Sequence, residues 1–142
     1  MLRKTFLNIT FVIIVLSAIS YGQDHKIWQP IRLLGAIYPR DAQFAGIEGV
    51  VEAKCSIRED GSISNVEIVS GHIVLARYVK TNLLQWVFQS GEKGENGRKE
   101  AMVRYSFQLK GSCDSHRGCK QEFWFEYPNQ VSVIAERPYT NN

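Results

Sequence analysis

Two stretches of strict alternation limit the folds open to this 142-residue chain. Val51, Ala53, Cys55 and Ile57 alternate with Glu52, Lys54, Ser56 and Arg58. Ala101, Val103, Tyr105, Phe107 and Leu109 alternate with Met102, Arg104, Ser106 and Gln108. A period of two buries one set and wets the other, so both stretches predict half-buried strands of an antiparallel sheet. Asp60-Gly61 closes the first stretch as a hairpin turn, because Gly accepts the positive φ such turns need. The return strand holds Ile63, Val66 and Ile68. The step of three from Ile63 to Val66 breaks the alternation and predicts a bulge near Ser64-Asn65.

A sheet with one apolar face needs a cover. Pro39 suits the first turn of a helix, Ala42, Phe44 and Ala45 continue it, and Gly46 is a natural stop, so a short helix is expected over 39–45. Leu75, Ala76, Val79, Leu83 and Trp86 recur at helical spacing and predict a second helix over 72–86, with Ser70-Gly71 in position to cap it. Arg77, Lys80, Thr81 and Gln85 fall on its wet side. Residues 90–98 read as a polar Gly-rich loop. After 109 come a cysteine loop and two further strands, Phe123 to Tyr127 and Val131 to Ala135, split at Pro128-Asn129. The run Phe123-Trp124-Phe125 puts aromatics on both faces of its strand: either both faces are covered, which is the expectation, or one aromatic is exposed for a partner. The fold class is α+β: a small antiparallel sheet with two helices packed on one face, extended by C-terminal strands. An apolar content of 44% is ample for one core at this length.

The first 22 residues stand apart. Arg3 and Lys4 precede a nearly apolar run from Phe6 to Ile19, and Ser20-Tyr21-Gly22 offers small residues where a signal peptidase cuts, before Gln23. A signal peptide over 1–22 is the expectation. The rival is an uncleaved anchor, for which the run falls short of the ~20 residues a spanning helix wants. Residues 23–35 form a lead-in whose apolar residues, among them Ile27, Trp28, Ile31 and Leu34, can dock on the domain. Removing Arg3 and Lys4 from the 17 basic residues leaves 15 against 14 acidic ones. No basic stripe is left for a phosphate backbone, so nucleic acid is a poor partner. The chain is expected in the periplasm or outside the cell.

That compartment is oxidising and favours paired cysteines. Cys113 and Cys119, with His116 between them, are read first as a disulfide that closes a short loop. Two alternatives stand beside it. A zinc site would use both thiolates and His116 but lacks an evident fourth ligand. A redox or intermolecular pair would have wider spacing than Cys-x-x-Cys. Cys55 lies on the apolar phase of its strand and reads as a buried, inert thiol. His25 and His72 read as solvated. No nucleophilic triad, carboxylate pair or phosphate-binding loop stands out, so the chain is read as a non-enzyme that needs no cofactor and no metal.

Tyr38-Pro39, Ala42, Gly49, Asp60-Gly61, Ser70-Gly71 and Trp86-Val87-Phe88 occur in an order and register that resembles the TonB C-terminal domain family. The resemblance covers about 36–109, with the strand 99–109 in the place of the family's third strand. It divides the chain into a domain over 36–110 and an extension over 111–142 that holds the cysteine loop and the last strands. The family implies a periplasmic protein that pairs a strand with an extended peptide of an outer-membrane transporter or another envelope protein, by β-augmentation. The third strand is then the pairing edge, and its outward residues Met102, Arg104, Ser106 and Gln108 meet the partner. There are departures: Ser90 stands where members usually carry Pro, and a 13-residue lead-in, at most about 45 Å long, stands where a transducer carries a Pro-rich spacer. A retained N-terminal segment would associate the protein with the inner membrane, and an open edge could also pair two copies. The alternative from another class is a free-standing adapter whose last strands cap the edge, with no part in energy coupling.

Overall fold

The computed structural model describes residues 29–89 and 99–139. The expected signal segment, the first part of the lead-in and the 90–98 loop lie outside the described residues. The elements run β1 (Pro30–Arg32), α1 (Arg40–Ala45), β2 (Gly49–Ile57), β3 (Ile63–Ser70), α2 (Ile73–Leu83), β4 (Val87–Phe88), β5 (Lys99–Asp114), β6 (Gln121–Glu126) and β7 (Gln130–Tyr139).

Both alternating stretches are strands, and the pattern dictates which face is dry. Val51, Ala53, Cys55 and Ile57 of β2 and Ala101, Val103, Tyr105 and Phe107 of β5 are all buried. β2 pairs antiparallel with β3 and with β5. Gly61, at φ 87, turns the first hairpin, and an added Cβ there would collide with the Phe88 carbonyl oxygen. The expected bulge is present: Ser56 faces Asn65 and Ile57 faces Ile63, so Ser64 is the extra residue. A second bulge at Val69, between the pairs Glu52–Ser70 and Ala53–Ile68, gave no break in the sequence pattern.

The helices cover the dry face. Pro39 caps α1, its carbonyl accepting from Gln43 N–H, and Gly46 ends it at φ 67 in the left-handed region. α2 buries Leu75, Ala76, Val79 and Leu83 and leaves Arg77, Lys80 and Thr81 exposed. Two details differ from expectation. The cap is His72, whose Nδ1 accepts from Val74 N–H at 3.3 Å, and not Ser70-Gly71. The helix ends at Leu83, because the chain must turn there to deliver Trp86 into the core and Val87–Phe88 to the short pairing with β1. The lead-in docks through that pairing, Pro30 opposite Phe88 and Arg32 opposite Val87.

The larger sheet has the order β3-β2-β5-β7-β6. One pairing is parallel, where an antiparallel sheet was expected: β7 runs alongside β5 from Arg104–Gln130 to Asp114–Tyr139. The cause is the crossing at 115–120. It carries the chain over the end of β7, so that β6 starts on the far side, runs back, and turns at 127–129 to insert β7 between them. Val131, Val133 and Ala135 of β7 continue the buried rows begun by Tyr105, Phe107 and Leu109. The C-terminal hairpin is therefore part of the core.

Candidate functional site

The surface open to a partner is the uncovered sheet face and the free edges. β5 points Met102, Arg104, Ser106 and Gln108 away from the helices, as its alternation requires. Met102 is 47% exposed. Arg104 stands 3.8 Å from Glu52 on β2, and Lys54 lies between Glu67 at 3.7 Å and Glu100 at 3.8 Å. Such exposed pairs add little stability and give the face its charge pattern. Ser106 lies between Val50 of β2 and Ser132 of β7, and Ser132 in turn faces Trp124 of β6. Glu52, Met102, Arg104, Pro128, Asn129 and Gln130 line a shallow dent at one end of this face.

Along the strand carrying Met102, Arg104, Ser106 and Gln108, β7 takes the expected pairing edge from Arg104 onward, the capped arrangement that the adapter alternative expects. β5 is bonded to β2 from Lys99 to Phe107 and to β7 from Arg104 to Asp114, so the β7 side of the strand is in use at Arg104, Ser106 and Gln108, while Met102 lies before the first β7 pair. Arg104 N–H donates to Asn129 O at 3.0 Å, which shows the direction. Alternate amides of β5 point toward the C-terminal hairpin. The side chains of Arg104, Ser106 and Gln108 remain open only to a partner that approaches the face.

The hairpin is held by more than its ladder. Gln43 of α1 is buried and donates from its side chain to Glu136 O at 2.6 Å. Tyr38 N–H donates to the Gln121 side chain at 2.9 Å, and the Phe125 ring meets Trp86 edge-on with centroids 5.9 Å apart. Cys113 and Cys119 form the disulfide, Cα atoms 5.3 Å apart, at the crossing that starts the hairpin. The bridge uses both thiolates that the zinc reading required, and His116 stays exposed. Replacing both cysteines by serine is expected to cost about 2 kcal/mol by the entropy of so small a loop, read as a lower urea midpoint with the slope unchanged.

Among the described residues, the outermost strands of the five-stranded sheet are β3 and β6. β6 is covered on fewer sides than the sequence suggested: Phe123 is 47% and Trp124 41% exposed, and only Phe125 packs against the core. The expectation that both faces of this strand are covered fails because β6 is the last strand of the sheet: among the described residues no helix crosses the face of Trp124, and Phe123 lies at the margin of the covered face.

One buried polar cluster has no counterpart in the sequence reading. Asn82 on α2 is 2% exposed. Its Oδ1 accepts from Tyr105 Oη at 2.7 Å and from Trp86 Nε1 at 3.2 Å, and its Nδ2 donates to the Leu34 and Gly35 carbonyls. The available signal was a polar residue on the apolar phase of α2.

Burial also sets the titration of the core. It pushes the Cys55 thiol up to about 12, which fits an inert thiol. Burial, aided by the Glu48 carboxylate, pushes the Tyr38 phenol up to about 12, and burial raises Tyr78 and Tyr105 as well. The unfolded chain gives up these protons near the ordinary values of 9.0 for the thiol and 10.0 for the phenols. The folded state thus binds more protons above pH 9, and stability falls as pH rises from there toward 12. Urea midpoints that decline between pH 9 and 11 are expected; midpoints that rise over that range would contradict the buried placement.

The sequence model of the family described as Gram-negative bacterial TonB protein C-terminal matches residues 35–109. The matched span stops within β5 and leaves β6 and β7 outside it. No curated protein matches the chain. Among solved structures, the solution NMR structure of the Pseudomonas aeruginosa TonB C-terminal domain is similar, at 25% identity and a TM-score of 0.45, over 59% of this chain and 88% of that one.

Proposed function

The chain belongs to the Gram-negative bacterial TonB C-terminal family, and from that premise we infer that it works in transport across the envelope by pairing a sheet edge with an extended segment of another envelope protein. The carrying observation is the family match over 35–109, the span that includes both alternating strands and the helix between them. The partner class is an outer-membrane transporter or another envelope polypeptide. Main-chain bonds supply affinity in such pairing and alternate side chains supply choice. Met102, Arg104, Ser106 and Gln108 serve as side-chain contacts from the open face. The protein acts in the periplasm and carries out no chemistry of its own. Energy coupling requires an inner-membrane anchor, for which residues 1–22 are the candidate segment. Among the described residues no helix is long and apolar enough to cross a membrane.

One observation favours a second reading, an adapter with a capped edge and no energy coupling. β7 occupies the side of β5 at which the family resemblance places the partner.

The test is photo-crosslinking in a Gram-negative cell from single positions on each surface: Met102 and Gln108 on the face, Val69 on β3, Trp124 on β6. A reproducible adduct with an outer-membrane or other envelope polypeptide from any of them is the expected result. No envelope adduct from any position would overturn the reading.

A further inference from the structure

We propose that the outer edge of β6, Gln121–Glu126, is the docking edge, and that its occupant is an extended segment of an envelope protein with basic residues across Glu122 and Glu126 and an apolar residue across Trp124. The proposal rests on the strand-pairing function inferred above and names its site and the chemistry of its partner.

The choice between the two free edges is physical. β3 carries an extra residue at each end of its ladder, Ser64 and Val69, so its regular pairing is confined to Asn65–Ile68. Bulges of this kind twist an edge away from incoming strands. β6 has none: its register with β7 is unbroken from Gln121–Ala135 to Glu126–Gln130. It also lacks the Lys and Pro that commonly guard an edge. Residues 33–38 pass beneath it without pairing. Gly35 lies against the Phe123 ring, and Tyr38 N–H goes to the side chain of Gln121. Among the described residues, the β6 backbone bonds only to β7.

The side chains specify the occupant. Trp124, Glu122 and Glu126 share the outer face, opposite Ser132, Ile134 and Gln130 of β7. None of those neighbours is cationic, and neither carboxylate makes an ion pair among the described residues. Two unpaired carboxylates flank one half-exposed indole on a ladder that lacks its outer strand. Opposite charges directly across a ladder attract and like charges repel. A strand with Lys or Arg at two positions four apart, and an apolar residue midway, satisfies all three positions at once. On the inner face, the residues between them meet Phe123 and Phe125. A second copy is a worse fit: antiparallel self-pairing centred on Trp124 sets Glu122 against Glu126 on both sides.

The experiment uses the full chain, isotope-labelled, with two synthetic nine-residue probes. One carries Lys two residues before and two residues after a central Val; the other carries Glu at those two positions. The Lys probe is expected to shift the amide signals of 121–126, with the shifts suppressed by salt. The double variant Glu122→Lys/Glu126→Lys, whose changes are both exposed, is expected to bind the Lys probe about tenfold more weakly and to gain the Glu probe, with an unchanged fold by circular dichroism. Shifts centred on 65–68, equal binding of both probes, no binding of either, or a homodimer lost on Trp124→Lys would each overturn the proposal. The two levels separate cleanly. Envelope crosslinks from Met102 or Val69 but never from Trp124 sink the β6 assignment and leave strand pairing in place. Selective probe binding at β6 without any envelope crosslink sinks the inferred function.

Discussion

Replacing Asn82 with alanine is expected to destabilise the protein by about 3–5 kcal/mol. The side chain sits at the one point where α2, β5, the lead-in and Trp86 converge. Truncation strands Tyr105 Oη and Trp86 Nε1 in a dry core, and each unpaired buried donor costs about 1–3 kcal/mol. It also frees the Leu34 and Gly35 carbonyls, which hold the lead-in against the helix. A domain of this size has about 5–15 kcal/mol in total, so the loss is a large share. Thr81→Ala, one position earlier and exposed, is expected to stay within about 0.5 kcal/mol. Urea unfolding of the two variants side by side is the check; equal midpoints would mean that the buried cluster is not a unit.

Val133→Asp is expected to cost about 4 kcal/mol or more. Val133 is fully buried in β7, between Phe107 of β5 and Phe123 of β6. An ionised carboxylate there has no cation to meet and loses its water, which is among the most costly single changes a core can suffer. Ser132→Asp, on the adjacent residue but the opposite face, is expected to change stability by no more than about 0.5 kcal/mol. The contrast between neighbours reads the period of β7 directly. Similar losses for both would place the strand in another register, or outside the sheet.

The parts of the fold legible in the sequence are those set by local periodicity and turn chemistry. The alternation of 51–57 and 101–109, the Asp60-Gly61 turn, the step from Ile63 to Val66 and the spacing of Leu75, Ala76, Val79 and Leu83 all act over a few residues. The disulfide was legible from compartment and spacing. What was not legible is non-local. Nothing in Val131 to Ala135 says that it pairs in parallel with a strand more than twenty residues earlier, because parallel order is decided by how the 115–120 crossing routes the chain. That one routing decision moved the free edge from β5 to β6. It left Arg104, Ser106 and Gln108 on a face and not at an edge, and left Phe123 and Trp124 half exposed. Asn82 was missed for a related reason: a polar residue on an apolar stripe reads as noise until its partners, Tyr105 and Trp86, are brought to it.

β7 closes the side of β5 on which the family resemblance puts the pairing edge, and β6 is the unbulged open edge in its place. Residue-resolved amide hydrogen exchange on the full chain tests it most directly. With Arg104 N–H directed at Asn129, strand alternation sends the amides of Ser106 and Gln108 toward β7 as well. Those amides are expected to exchange only through global unfolding, as slowly as the β5 amides that face β2, while alternate amides of β6 exchange orders of magnitude faster. Fast exchange at Ser106 and Gln108, matching that of β6, would show β5 to be an open edge and contradict the account.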